Sequence, residues 1–121
     1  MRSAALAAVV FIALLHVWIM IMESVLWQTP AVRKVFRNDA QKAETTAILA
    51  KNQGVYNGFL AAGLVWALFA PGPEELLTRA TFFLCCIAVA GVVGAVTAAR
   101  NILFVQTVPA VLALGLLWAS R

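Results

Sequence analysis

The sequence predicts an all-α fold, a single domain over residues 1–121 in which four transmembrane helices form a bundle. Three observations lead there. The chain of 121 residues is 64% hydrophobic and only 12% charged, with mean hydropathy +0.94, more apolar surface than one small soluble core can hide. Its apolar residues fall into four stretches, about 4–27, 53–70, 78–98 and 103–120, each near the roughly 20 residues that cross a bilayer. The breaks between them carry helix-stopping chemistry: Thr29-Pro30, Pro71-Gly72-Pro73 and Arg100-Asn101.

Within the first stretch the strongly polar side chains are His16 and Glu23. It is too long for a signal-peptide core and no small-x-small cleavage site follows it, so it reads as a retained helix. The first connection is the long one. In it Asn38-Asp39-Ala40-Gln41 has the form of a capping box, and Ala40, Ala43, Ala47 and Ala50 share one face. A short amphipathic helix is therefore expected before the second span or continuous with it. The second and third connections are tight.

The basic residues set the orientation. Arg33, Lys34, Arg37, Lys42, Lys51 and Arg100 lie on one side, against Arg2, Arg79 and Arg121 on the other, which puts the first and third loops in the cytoplasm and both termini outside. The net charge of +4 is mostly this first loop meeting anionic headgroups, so the partner it implies is the lipid bilayer and no nucleic acid.

Intramembrane polar groups then gather at one depth. An acid within a span costs roughly 2.5–3.5 kcal/mol on insertion scales, so Glu23 calls for a partner. Asn52, Gln53, Tyr56 and Asn57 lie in the first turns of the second span, with Asn52/Tyr56 and Gln53/Asn57 paired at i,i+4. Gln106 lies about a turn into the fourth. His16 is about 10 Å of helix rise from Glu23 on the same face, with Met20 between and Trp27 below. That stripe is expected to look into the bundle or into a wet cavity. Taken singly, Gln106, Thr97 and Asn101 are accounted for equally well as hydrogen-bonded glue between helices. Gly54, Gly58 and Ala62, and Gly91, Ala95 and Ala98 with Gly94, form small-residue strips that suit helix packing or contact between copies, leaving a homo-oligomer open. Cys85 and Cys86 point to different faces as small hydrophobes, so no metal site is expected. As the sole imidazole, His16 allows at most single axial ligation of a haem.

The run Leu49-Ala50-Lys51-Asn52-Gln53-Gly54-Val55-Tyr56-Asn57-Gly58-Phe59-Leu60-Ala61-Ala62-Gly63, together with His16 ahead of the Glu23 turn and Trp27-x-x-Pro30, resembles the small bacterial integral membrane proteins catalogued as domain of unknown function 1304. The resemblance covers nearly the whole chain. It implies a four-span protein of the bacterial inner membrane and no particular activity.

The favoured functional expectation is a polar intramembrane pocket that binds a small lipophilic molecule and, in its fullest form, transforms it. Glu23 would serve as acid, His16 as base and Tyr56 as a second donor, with Asn52, Gln53, Asn57, Gln106, Trp27 and Met20 in contact with the ligand. By analogy alone this is similar to membrane isomerases that use an acid with a histidine or a haem in a four-helix bundle. Two alternatives stand beside it: proton-coupled transport, against which the six-to-three charge bias counts where an antiparallel dimer is needed, and a structural or accessory membrane subunit.

Overall fold

A computed structural model describes residues 2–121. The described chain is all-α: α1 (Arg2–Ser24), α2 (Pro30–Phe36), α3 (Ala40–Leu68), α4 (Pro73–Thr97), a π-helical turn (Leu103–Thr107) and α5 (Val108–Ala119). It divides into two compact units, Met1–Ala13 with Leu60–Arg121, and Leu14–Phe59. Helices α1 and α3 each contribute residues to both.

In the first unit, segments of α1, α3, α4 and α5 surround one core. Its buried members are mostly small or medium: Ala5, Val9, Ala67, Ala80, Ala110 and Ala113, with Ile12, Leu64, Leu84, Ile87 and Leu117 among them. Small side chains on the inner faces let helices approach closely, and Gly91 shows how closely. A Cβ there would overlap Thr107, whose backbone nitrogen would lie at 2.8 Å. Thr107 Oγ1 in turn donates to Ala88 O at 3.1 Å, tying the π-helical turn to α4. The turn itself follows from Pro109, which has no N–H to offer and whose ring would clash with an ordinary helical carbonyl. The ladder widens before it, and Val108 N–H reaches back five residues to Leu103 O. On the outside of the unit, Arg79 pairs with Glu75 at 2.6 Å and places its guanidinium 4.1 Å from the centroid of the Trp66 ring.

Large apolar side chains line the outer faces of this unit. Phe69 is 82% exposed and Val96 83%, and Phe11, Phe82, Phe104 and Leu112 are also exposed. Two helices, Arg2–Ser24 and Pro73–Thr97, are long and apolar enough to cross a membrane, while the apolar stretch Leu103–Ala119 is shorter.

In the second unit the latter part of α1, all of α2 and the first part of α3 meet. Ile19, Met22 and Val32 are its buried apolar centre, with Leu15, Leu26, Trp27 and Phe36 packed around them. Helix α1 stops at Ser24, where Val25 and Leu26 N–H both converge on Ile21 O, so Trp27 lies in the following turn rather than in the helix expected to reach it. Thr29-Pro30, read in the sequence as a stop, also starts α2. Thr29 is its N-cap, accepting from Val32 N at 3.4 Å, and Pro30 occupies a first-turn position whose N–H would be unpaired in any case. Arg37 closes α2 in the left-handed region at φ 54°. Its N–H reaches Lys34 O and that of Asn38 reaches Arg33 O at 2.9 Å, a Schellman closure.

The expected capping of the next helix is displaced by one residue. Asp39, not Asn38, is the cap, its Oδ1 accepting from Lys42 N at 2.7 Å. The helix of the first connection and the second apolar stretch form one unbroken rod, α3. Helix α4 starts at Pro73, five residues before the apolar stretch, because that proline also opens a helix.

Candidate functional site

The site is built from the second unit alone, where α1 and α3 run close together. Two glycines permit the approach. A Cβ on Gly54 would overlap Ser24 Oγ and lie 3.0 Å from Met20 O, and one on Gly58 would lie 2.8 Å from Met20 Sδ. With α3 held at that rotation, the next inward position of the same face is Asn57, 9% exposed.

Its amide meets the acid of α1. Asn57 Nδ2 donates to Glu23 Oε2 at 2.8 Å and to Gln53 O at 3.2 Å. A hydrogen bond to a carboxylate is shorter and roughly twice as strong as one between neutral groups, so this contact orients the Glu23 head group. Beside it lies a cavity of about 250 Å³ lined by Glu23, Ser24, Trp27, Ala47, Ile48 and Lys51, with Val25 and Gln28. Ser24 Oγ is buried against Gly54 of α3, without a hydrogen-bond partner. The wall is held by Trp27, whose Nε1 donates to Thr46 Oγ1 at 3.1 Å and whose ring packs at 4.8 Å against that of Phe36.

The structure brings together only part of the residue set expected from the sequence. Glu23, Asn57 and Trp27 meet around one cavity or its wall. Met20 serves as the packing partner of Gly54 and Gly58. His16 is fully buried on α1, two turns before Glu23, and is not among the cavity's lining residues. Asn52 and Gln53 have exposed side chains, and only the Gln53 backbone takes part, as an acceptor. Tyr56 is 54% exposed, its ring edge-on to Phe59 at 6.0 Å. The reason is rotational. Successive residues step about 100° round a helix, so with Gly54, Asn57 and Gly58 turned inward, positions 52, 53 and 56 fall on the outer arc. Gln106 belongs to the other unit, where its Cβ is among the atoms a Cβ on Gly91 would meet. Ala62, placed in the same strip as Gly54 and Gly58, is exposed and Ala61 is buried instead.

Ser24, Thr46 and Lys51 complete the site without having been picked out beforehand. The alanine spacing at 43, 47 and 50 was the signal available, since it marks the face of α3 from which Ala47 lines the cavity. Among the described residues no group of three or more His, Cys, Asp or Glu side chains is placed to hold a metal ion, and the donors at the site are a carboxylate, an amide and a hydroxyl.

Comparison with known proteins adds the family. A family model described as protein of unknown function, DUF1304, matches residues 10–118. The chain is also similar to a protein of Lactococcus lactis subsp. lactis described as uncharacterized protein YpaA, with 30% identity over 105 residues, 85% of this chain and 87% of that one. No solved structure matches.

Proposed function

The chain belongs to the DUF1304 family, and for this member of it we propose a four-span membrane protein that binds the polar head of a small lipophilic molecule beside Glu23. The membrane reading is supported by an inverted distribution of side chains: alanines and glycine on the inner faces, phenylalanines and valines exposed on the outer ones. Water would charge heavily for such a surface, and a hydrocarbon environment would not. The four crossings are α1, the apolar latter part of α3, α4, and the π-helical turn with α5. The excess of Lys and Arg in the first connection sets that side in the cytoplasm of a bacterial cell.

One observation carries the binding reading: a carboxylate with one oxygen pinned by a buried amide borders a cavity walled by Trp27. Glu23 is the group assigned to the ligand, and Trp27 is the wall. At about 250 Å³ the space falls below the ~300–1,000 Å³ of drug-sized sites. A small head group enters, and its apolar remainder lies along Val25 and Ile48, both exposed. Glu23 would then exchange a proton with the bound head group, the step that an isomerase-like reaction needs.

The test is native mass spectrometry of the protein purified in mild detergent, followed by extraction of what it retains. A small amphiphile retained by the wild type, lost in Asn57→Ala and still bound but unconverted in Glu23→Gln is the expected result. Proton-linked uptake or efflux in vesicles that Glu23→Gln abolishes would move the assignment to transport. Retention of bulk lipid alone, unchanged in both variants, would overturn the binding reading and leave a structural subunit.

A further inference from the structure

Another cavity lies in the unit formed by Met1–Ala13 and Leu60–Arg121. It is a cleft of about 740 Å³, well inside the ~300–1,000 Å³ range of small-molecule sites. Its floor is apolar, made by Leu6 of α1, Leu76 and Leu77 of α4, and Leu117 of α5. Its rim carries Arg2 and Arg121, both exposed.

The rim is ordered on one side. Trp118 Nε1 donates to Thr81 Oγ1 at 3.2 Å, joining α5 to α4, and the Arg121 guanidinium lies 5.1 Å from the centroid of the Trp118 ring. That stacking holds a cation at the edge of the cleft. The acid opposing the two arginines among the lining residues is Glu74. The adjacent Glu75 is already paired with Arg79 at 2.6 Å and does not neutralise them. The cleft therefore offers a leucine-lined trough with a net cationic mouth.

We propose that this cleft binds an anionic single-chain lipid, with the alkyl chain along Leu6, Leu76, Leu77 and Leu117 and the carboxylate or phosphate head between Arg2 and Arg121. The leucine trough suits an alkyl chain lying against it as it suits the surrounding lipid tails, and the selectivity comes from the two guanidinium groups, which suit a planar or tetrahedral oxyanion that each can engage through two N–H donors. A lipophilic amine would meet two like charges, and a free anion would leave the leucine floor uncovered. The site shares no residue with the one at Glu23 and does not depend on it.

The experiment uses the full chain in a non-ionic detergent and a stearic acid carrying a nitroxide at mid-chain, which quenches nearby tryptophan fluorescence. Saturable quenching is expected, competed by oleate but not by oleyl alcohol or inorganic phosphate, with most of its amplitude lost in Trp118→Phe. Arg2→Gln with Arg121→Gln is expected to weaken binding about tenfold, a loss of about 1.4 kcal/mol. Because both arginines are exposed, the fold is retained. Glu74→Gln, also at an exposed position, is expected to tighten binding about twofold by removing the opposing charge. Equal quenching by the methyl ester of the same probe would overturn the proposal. So would unchanged affinity in the double arginine variant, or competition by inorganic phosphate as effective as that by oleate.

Discussion

Replacing Asn57 by alanine removes the amide that meets Glu23, and the size of the loss can be worked from the geometry. Two bonds disappear, one of 2.8 Å to a carboxylate oxygen and one of 3.2 Å to the Gln53 carbonyl one turn back. The second is local to α3 and longer, so most of the loss belongs to the first. In water-soluble proteins a hydrogen bond to a charged group contributes about 1.5–3 kcal/mol, whereas interhelical polar bonds inside membranes average about 0.6 and reach about 1.7 kcal/mol. The Asn57 site is buried but Glu23 is only partly so, which places the expected coupling between Glu23 and Asn57 at about 1 kcal/mol. A double-mutant cycle of Glu23→Ala and Asn57→Ala isolates that quantity, measured as reversible unfolding in mixed micelles and followed by tryptophan fluorescence. Tyr56→Ala in place of Asn57→Ala provides the control, with no coupling expected because its ring lies on the outer arc of α3. A Glu23/Asn57 coupling below about 0.3 kcal/mol, the scatter of independent sites, would refute the contact as the organising element of the site.

Other perturbations test neighbouring parts of the description. Gly91→Ala forces a methyl group against the Thr107 backbone and is expected to cost about 1–3 kcal/mol, read in the same unfolding assay. Asp39→Ala should destabilise α3 by about 1 kcal/mol through loss of its cap, and Asn38→Ala by much less; equal effects would restore the earlier capping assignment. Trp27→Phe removes the donor to Thr46 and should cost about 0.5–1.5 kcal/mol while also weakening retention of any small amphiphile seen by mass spectrometry. An absorption spectrum of the purified protein is expected to lack a Soret band, and a band abolished by His16→Ala would instead assign His16 as an axial ligand.

Much of this arrangement could be read from residue order, and the part that could not has a geometric cause. The all-helical fold followed from apolar length and from proline and glycine punctuation. Even so, Pro30 and Pro73 were ambiguous, because proline ends one helix and opens the next with equal ease. On α1 the shared face of His16, Met20 and Glu23 was legible because they repeat at helical spacing, whereas Trp27 falls in the turn after the helix. On α3 the polar residues are crowded, with Asn52, Gln53, Tyr56 and Asn57 spread over one arc of about 140°, so periodicity could not choose which of them faces inward. Gly54 and Gly58 decide it by allowing Met20 to approach. The π-helical turn before Pro109 was not foreseen, since a proline signals that the ladder must yield and not in which manner.

The unbroken length of α3 has a mechanical consequence. Eighteen residues separate the Asp39 cap from Asn57, about 27 Å at helical rise, with no glycine hinge before Gly54 and no proline at all. A twist or push applied to the hydrophilic tip near Lys42, whether by a docking neighbour or by a covalent label, is transmitted along a stiff shaft to the amide that grips the carboxylate. If the site beside Glu23 holds the proposed head group, cross-linking the tip is expected to register as altered retention far down the shaft.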